Sequence, residues 1–492
     1  MERIKKLCTV SGVLFGIPVI YILARILEIN EKAKIIQALM FAATVVIVGV
    51  YVICSLKNKD NKEKYSVYAL MAVGIVLRAG YMLYTGCRLR SHDIGNISMN
   101  GNGHATYILT LIHTGNLPFS NKGQMYQQPL YYYLAALFSK TVNGILSSAK
   151  DYYYVDAAKT VSCIASCINL LAVAGFTKKF GNRTRNIMMA VLAFTPACII
   201  SSGTVNADSL TMLFMTLCFF MTLKWYETPC TKNILILALC YGFGVMTKIS
   251  LGVMAVFTVI YFIKMFKEVL TKENISVAGA GIKKYNGSLK KLFTDMCIFA
   301  VVSLPLGLWY SYRNYSLFGQ GFGYVLEQSQ NSQIYMGDKS YFARLLPVDI
   351  KSLLFEIYPD VRQNYNLPVY LLKSSLFGEF SYNVSKVLPF IMTVCGIVLA
   401  IYLIVSIIKC NNLRKDYVFV LLLILLFENY FYIRYPFSCS MDFRYIIFVC
   451  IPAGILLGDC RNKKMTTKTT CRIFDVTCIL FCIMSSLFFM II

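Results

Sequence analysis

Histidine is nearly missing from this chain: only three occur in 492 residues, and His92, His104 and His113 all fall within residues 91–119. Charge is thin as well, at 15% of residues where soluble domains carry about 25%, and this scarcity excludes an ordinary soluble fold. No C-x-x-C pair occurs among the 18 cysteines, so metal-type or redox-type cysteine spacing is excluded. Most cysteines (Cys163, Cys167, Cys218, Cys240, Cys297, Cys395, Cys478) lie in apolar runs as small hydrophobes, with Cys439 a candidate exposed thiol. There is no repeat of 20 to 50 residues and no low-complexity tract. The first apolar run has no small-residue cleavage site, and is expected to be a retained helix.

What the chain has is apolar length. Hydrophobic residues make up 57% and the mean hydropathy is +0.60. Uncharged apolar runs of about 20 residues predict an all-α polytopic membrane protein with about thirteen transmembrane helices. They fall near 8–28, 34–56, 65–87, 155–177, 186–203, 207–225, 232–247, 250–268, 292–312, 386–409, 416–437, 444–459 and 473–492. The formal charge of +24 would suit a nucleic-acid partner, but its arrangement argues against one. Threading the spans from a cytoplasmic N-terminus puts the basic stretches 57–64, 177–185, 264–291, 409–415 and 461–472 on one side, as the positive-inside rule requires.

The same threading divides the chain into two N-terminal helices (1–64), a catalytic core (65–312), a loop (313–385) and C-terminal helices (386–492). The core includes the loop 88–154, and both long loops are expected outside the cytoplasm. In the first, "HATYILTLIHTGN" has helical apolar spacing and stops at Gly115-Asn116, a C-cap signal. A second segment, 126–146, reads as an interfacial helix belted by Tyr131, Tyr132 and Tyr133; counting it as a span would invert every later basic loop. The loop 313–385 carries "NSQIYMGDKSYF" and "PDVRQNYNLP", and its length suggests a functional or folded segment.

The polar residues of interest fall at span ends on that outer side. Asp93 lies a few residues past the third span, where a carboxylate can act as a general base or cap a turn. His92, Asp93 and His104 leave a divalent metal open, although His104 and His113, on one helix, should face different sides. Asn206 and Asp208 occupy a tight turn, Asp208 at the start of a helix, where its charge suits the dipole. Lys248 stands between two apolar spans against the positive-inside bias, placed to bind phosphate or to snorkel. Asp442 and Arg444 sit in another outer turn; Arg444 offers a planar fork for phosphate unless Asp442 pairs with it.

In order along the chain, "SHDIG", "NGHATYILTLIHTGNLPF", "YQQPLYYYLAALF", "SGTVNADSL", "GVMTKIS", "LPLGLWYSYRNYSLFG", "LLKSSLFGEF" and "MDFRYIIF" resemble the C-type (GT-C) membrane glycosyltransferases that use polyprenyl-phosphate sugars. That group holds the protein O-mannosyltransferases and the lipid A aminoarabinose transferase. The resemblance covers roughly residues 65–460 and implies an inverting transfer at the outer face of the cell membrane. Its donor would be a polyprenyl-phosphate sugar, its acceptor a glycan, lipid or protein of the cell envelope, and membrane lipids would surround it. Asp93 would be the base. His92, His104, Tyr107, Tyr126, Gln128, Tyr131, Asn206, Asp208, Lys248, Arg313, Asp442 and Arg444 would contact substrate. No cofactor is called for, and the metal stays open. Two departures stand out: a single Asp93 follows His92 where many relatives have adjacent acids, and Gln128-Pro129 stands where many have Pro-Pro. A polysaccharide polymerase or ligase would share such a surface site. A transporter or flippase would need polar residues at mid-membrane, whereas the spans read as free of ionisable residues inside.

Overall fold

The computed structural model describes residues 2–273, 289–326, 328–346, 348–357, 366–409, 414–462 and 467–492. Parts of the basic stretches 264–291, 409–415 and 461–472, and most of "PDVRQNYNLP", lie outside the described residues. Among those described there is no β-strand, only an isolated antiparallel bridge between Tyr335 and Phe437. All thirteen apolar segments are helical. Among the described residues, eleven helices are long and apolar enough to cross a membrane, or twelve if one bent pair is a single span. The protein is an all-α, multi-pass membrane protein.

The two segments that depart from a plain span do so for visible reasons. The 186–203 run breaks into Asn182–Phe194 and Pro196–Gly203, bent by 59°. Pro196 has no N–H to give the Leu192 carbonyl four residues back. Arg78 fills the gap: its Nη2 donates to Leu192 O at 2.8 Å, Nη1 to Ala193 O and Gly74 O at 3.0 Å, and Nε to Ser166 Oγ at 2.8 Å. The 232–247 run forms Thr231–Val245, only 15 residues, about 22 Å long against a hydrocarbon core of about 30 Å. The chain leaves that helix at Met246, whose carbonyl accepts from Leu130 N–H at 3.0 Å. The expectation of spans free of ionisable residues is also corrected: Arg78 and Glu428 are 1% and 0% exposed within membrane-length helices. Each entered the interior on a helix whose other positions are apolar enough to hide one charge.

Both helices expected in the loop 88–154 are present. His104–Thr114 ends at Gly115 with φ +71°, the left-handed C-cap conformation. Leu130–Ile145 is 16 residues, short of a span. Its tyrosines do not form a belt, since Tyr131 and Tyr132 are buried completely and only Tyr133 is exposed: successive helical residues diverge by about 100°, so three in a row cannot share one face. The loop 313–385 holds the short helices Tyr341–Leu345, Ile350–Phe355 and Leu367–Phe377.

The chain forms two compact units, Met1–His92 with Thr141–Ser209 and Glu327–Ile492, and Asp93–Lys140 with Leu210–Leu326. The first is tied by a buried ion pair. Lys159 Nζ lies 2.5 Å from Asp156 Oδ1 and donates to Thr85 O at 2.6 Å, while Tyr21 OH and Cys87 N–H donate to the Asp156 carboxylate. Such a pair tolerates burial better when further hydrogen bonds serve both ions, as Thr85, Tyr21 and Cys87 do here. In the second unit, the Thr258 hydroxyl joins Thr222 at 2.8 Å and Tyr241 at 2.6 Å, linking three apolar helices.

Candidate functional site

In the first unit a polar cluster forms where several helices end. Helix Leu367–Phe377 stops at Gly378, with φ +62° and ψ −156°, a region essentially closed to other residues. A Cβ there would also come within 2.9 Å of the Phe380 ring. This turn delivers Glu379, and Tyr370, one helix face back, donates its hydroxyl to Oε1 of that acid. Ser374 of the same helix accepts from Phe443 N–H at 3.0 Å, which fastens the tight turn at Asp442 beside it.

Asp442 caps the 3-10 turn Phe443–Val449. Its Oδ1 accepts from Arg444 N–H at 3.1 Å, and Oδ2 lies 3.2 Å from Arg444 Nε. The Asp442–Arg444 pairing is therefore formed, and Arg444 Nη2 also donates to Tyr445 OH at 3.0 Å. Asp208 and Glu379 lie close enough to act on the same guanidinium. His92 bridges the acids, with Nδ1 3.3 Å from Glu379 Oε2 and Nε2 3.6 Å from Asp442 Oδ2, and its ring lies 4.8 Å from that of Phe380. An imidazolium in this position faces a carboxylate at each nitrogen. Asn206 and Asp208 form the expected turn, Asp208 N–H donating to Asn206 Oδ1 at 3.1 Å at the start of Asp208–Glu227.

His92, Glu379 and Asp442 offer one ligand atom each, all within 4.8 Å of one another. The donor set suits a divalent cation, but Arg444 already stands against Asp442 and a bound cation would have to displace it. The residues therefore fit a hydrogen-bonded ion network better than a metal. Of the expected trio His92, Asp93 and His104, only His92 belongs to this cluster.

The other candidates belong to the second unit. Asp93 has φ +54°, and its carbonyl accepts from His104 N–H at 3.0 Å while Ile94 O accepts from Ala105 N–H at 3.1 Å. The loop thus closes onto the first turn of His104–Thr114. Gly95 packs on Gly103 so closely that a Cβ at position 95 would stand 2.9 Å from that backbone. His104 Nδ1 and Tyr132 OH are 2.6 Å apart, and Tyr132 stacks on Tyr107 at 3.9 Å. Tyr107 OH donates to Tyr310 OH at 3.0 Å, which donates to Met125 O at 2.8 Å. Burial first, then Tyr310, pushes the Tyr107 phenol well above its ordinary range, so it stays a donor. His113 is exposed while His104 is buried, as their spacing requires. Tyr131 is enclosed with Tyr132. Arg313 donates to Asn314 Oδ1 and Pro118 O, both at 3.0 Å. Lys248 precedes the turn Ile249–Gly252 that opens the next span. Tyr126 and Gln128 line a pocket with Ser311, Asn314, Gln320 and Tyr324.

No family model matches the chain, and no curated protein sequence matches it. Among solved structures, the crystal structure of ArnT from Cupriavidus metallidurans in the apo state is similar with a TM-score of 0.38 and 12% identity, over 80% of this chain and 76% of that one.

Sequence reading missed Glu379, although the stretch "LLKSSLFGEF" contains it. A signal was present: an acid directly after a glycine that ends an apolar helix. Gln320 was also missed, in a glycine-rich turn, "FGQGFG".

Proposed function

We propose that this chain is a membrane glycosyltransferase that moves a sugar from a polyprenyl-phosphate donor to an acceptor hydroxyl, with inversion and with Asp93 as general base. The observation that carries the reading is the mounting of Asp93. Its backbone is held in the left-handed region, its carbonyl is pinned by His104 N–H, and Gly95 and Gly103 close the loop beneath it. Unusual backbone held this way recurs at functional sites, and here it anchors the main chain of an exposed acid a few residues past a membrane-length helix. The ordered motif series that resembles the GT-C enzymes agrees.

The chemistry is consistent with that location. A sugar phosphate on a long isoprenoid stays in the bilayer, so its reacting carbon is met at the membrane surface, here assigned to the outer face. The leaving phosphate is already anionic and calls for fixed cations. Lys248, which stands just before the turn Ile249–Gly252, is one candidate, and Arg444, which faces Asp442, Glu379 and Asp208, is a second. Arg313, whose bonds go to neutral oxygens, comes next.

One feature favours a transporter: the bent pair at Pro196 is a broken span, as such proteins have. Arg78 occupies the break, however, and spends its hydrogen bonds on it, so no open ion path results there.

Incubation of the purified protein with polyprenyl-phosphate donors radiolabelled in the sugar, together with a cell-envelope extract as the source of acceptor hydroxyls, should move label to the acceptor and release free lipid phosphate. Asp93→Asn should slow release about 10²- to 10⁴-fold with donor binding retained. Release within a few-fold of wild type would remove Asp93 from the role, and no release from any donor by the wild type would remove the glycosyltransferase reading.

A further inference from the structure

The pocket beside Tyr126 and Gln128 has a composition unlike that of the ion cluster. Its walls come from the segment before Leu130–Ile145, from the end of Leu289–Phe318 and from the glycine-rich turn that follows. A cleft of about 340 Å³, part of it open solvent, lies between them. Every lining residue is uncharged. The adjoining Arg313 is turned to Asn314 Oδ1 and Pro118 O, so an anion would meet no lining cation.

Amides dominate instead. Gln128 is 6% exposed and Gln320 7%. Gln128 Nε2 donates to Ser311 Oγ at 2.7 Å, which fixes the amide and leaves Oε1 without a partner; Gln320 Nε2 is likewise without one. Buried polar atoms in folded proteins are nearly always satisfied, so an acceptor and a donor left open in the wall of one pocket call for a ligand that supplies both. A hydroxyl does so, and a ring of hydroxyls does so repeatedly. Tyr126 and Tyr324, edge to face at 5.2 Å, add half-buried aromatic surface suited to the C–H side of such a ring. Gly323, with φ +78°, turns the chain to bring Tyr324 back to the pocket.

We propose that this pocket binds a neutral sugar ring, with Gln128 Oε1 and Gln320 Nε2 as paired acceptor and donor. The proposal rests on the glycosyltransferase reading for its role, the ring belonging either to the donor headgroup or to the acceptor. Its test, however, reads binding alone, so either can fail without the other.

The experiment is saturation-transfer NMR on the full chain in nanodiscs. The probes are methyl glycosides of glucose, mannose, galactose and N-acetylglucosamine. At least one should receive saturation, and millimolar inorganic phosphate should not compete. Gln320→Met, which breaks no other side-chain hydrogen bond of the wild type, should weaken binding about three- to tenfold, as loss of one neutral hydrogen bond does. Gln128→Met should do the same or more, with its thermal midpoint measured to show that it folds. Displacement of the glycoside by a polyprenyl-phosphate hexose, but not by polyprenyl phosphate, assigns the ring to the donor. Binding that persists with that lipid present assigns it to the acceptor. No transfer to any glycoside, competition by phosphate, or unchanged affinity in both variants overturns the proposal.

Discussion

Replacing Lys373 with methionine should stabilise the protein at neutral pH. Lys373 lies in the short helix Leu367–Phe377, 2% exposed, with Thr393 Oγ1 3.3 Å from its Nζ and the Phe377 ring centre 5.5 Å away. Burial pulls its amine from 10.5 down to about 8, against a smaller opposing pull from Glu356. That drop corresponds to about 3 kcal/mol in favour of the neutral amine. The sign follows from proton counts. Between pH 8 and 10.5 the unfolded chain binds more protons than the folded one, so stability rises with pH; below pH 8 both forms are protonated and the full penalty is present. Lys373→Met removes the penalty but loses a cation–π contact of about 0.5–1 kcal/mol and a hydrogen bond of about 1 kcal/mol. The net gain at pH 7 should be about 1–2 kcal/mol. Thermal midpoints in detergent at a fixed scan rate, at pH 7 and pH 9.5, are the assay. The variant should melt higher at pH 7, and its advantage should shrink or vanish at pH 9.5. A variant less stable by the same margin at both values would refute the reasoning, since the ammonium would then be well solvated or well paired.

Lys248→Met should weaken binding of a non-transferable donor analogue roughly ten- to a hundredfold, since a charge-assisted hydrogen bond is worth about 1.5–3 kcal/mol; unchanged affinity would leave Lys248 as a snorkelling side chain. Arg444→Met, by contrast, should lower thermal stability at least as much as donor affinity, because it strips Asp442 of its guanidinium partner. EDTA should leave release of lipid phosphate within about twofold, and loss restored by a divalent cation would move His92, Glu379 and Asp442 to the role of ligands. Cysteines introduced at Gly101 and Asn331 should react with an impermeant reagent from outside the cell, and labelling only after permeabilisation would overturn the orientation.

The spans were legible because a run of about 20 apolar residues has few other uses. The helix His104–Thr114 was legible too, down to its glycine stop. Where the reading slipped, local chemistry was outweighed by partners far along the chain. The run 186–203 was read as one span, whereas it breaks at Pro196, and Arg78, more than a hundred residues earlier, satisfies the break. Tyr131 and Tyr132 looked like interfacial residues by type, yet their surroundings are other tyrosines of the second unit. The candidate site divides the same way. Asp93, His92, Asp442 and Arg444 were visible as scarce polar groups at span ends; that His92 would face Glu379 and Asp442, at the other end of the sequence, has no signature in a single chain.

The bond between Arg78 and the carbonyls of Leu192 and Ala193 also sets a schedule for biogenesis. Residue 78 precedes Ala193 by 115 positions, which at about 5–20 residues per second is roughly 6–23 s of synthesis. Through that interval the helix Lys62–Tyr84 carries a guanidinium whose acceptors at Leu192 and Ala193 have not yet been made. A segment with such a charge among its apolar residues is costly to release into lipid. It should therefore linger beside the insertion machinery until Asn182–Phe194 arrives, making this helix a late rather than an early entrant to the bilayer.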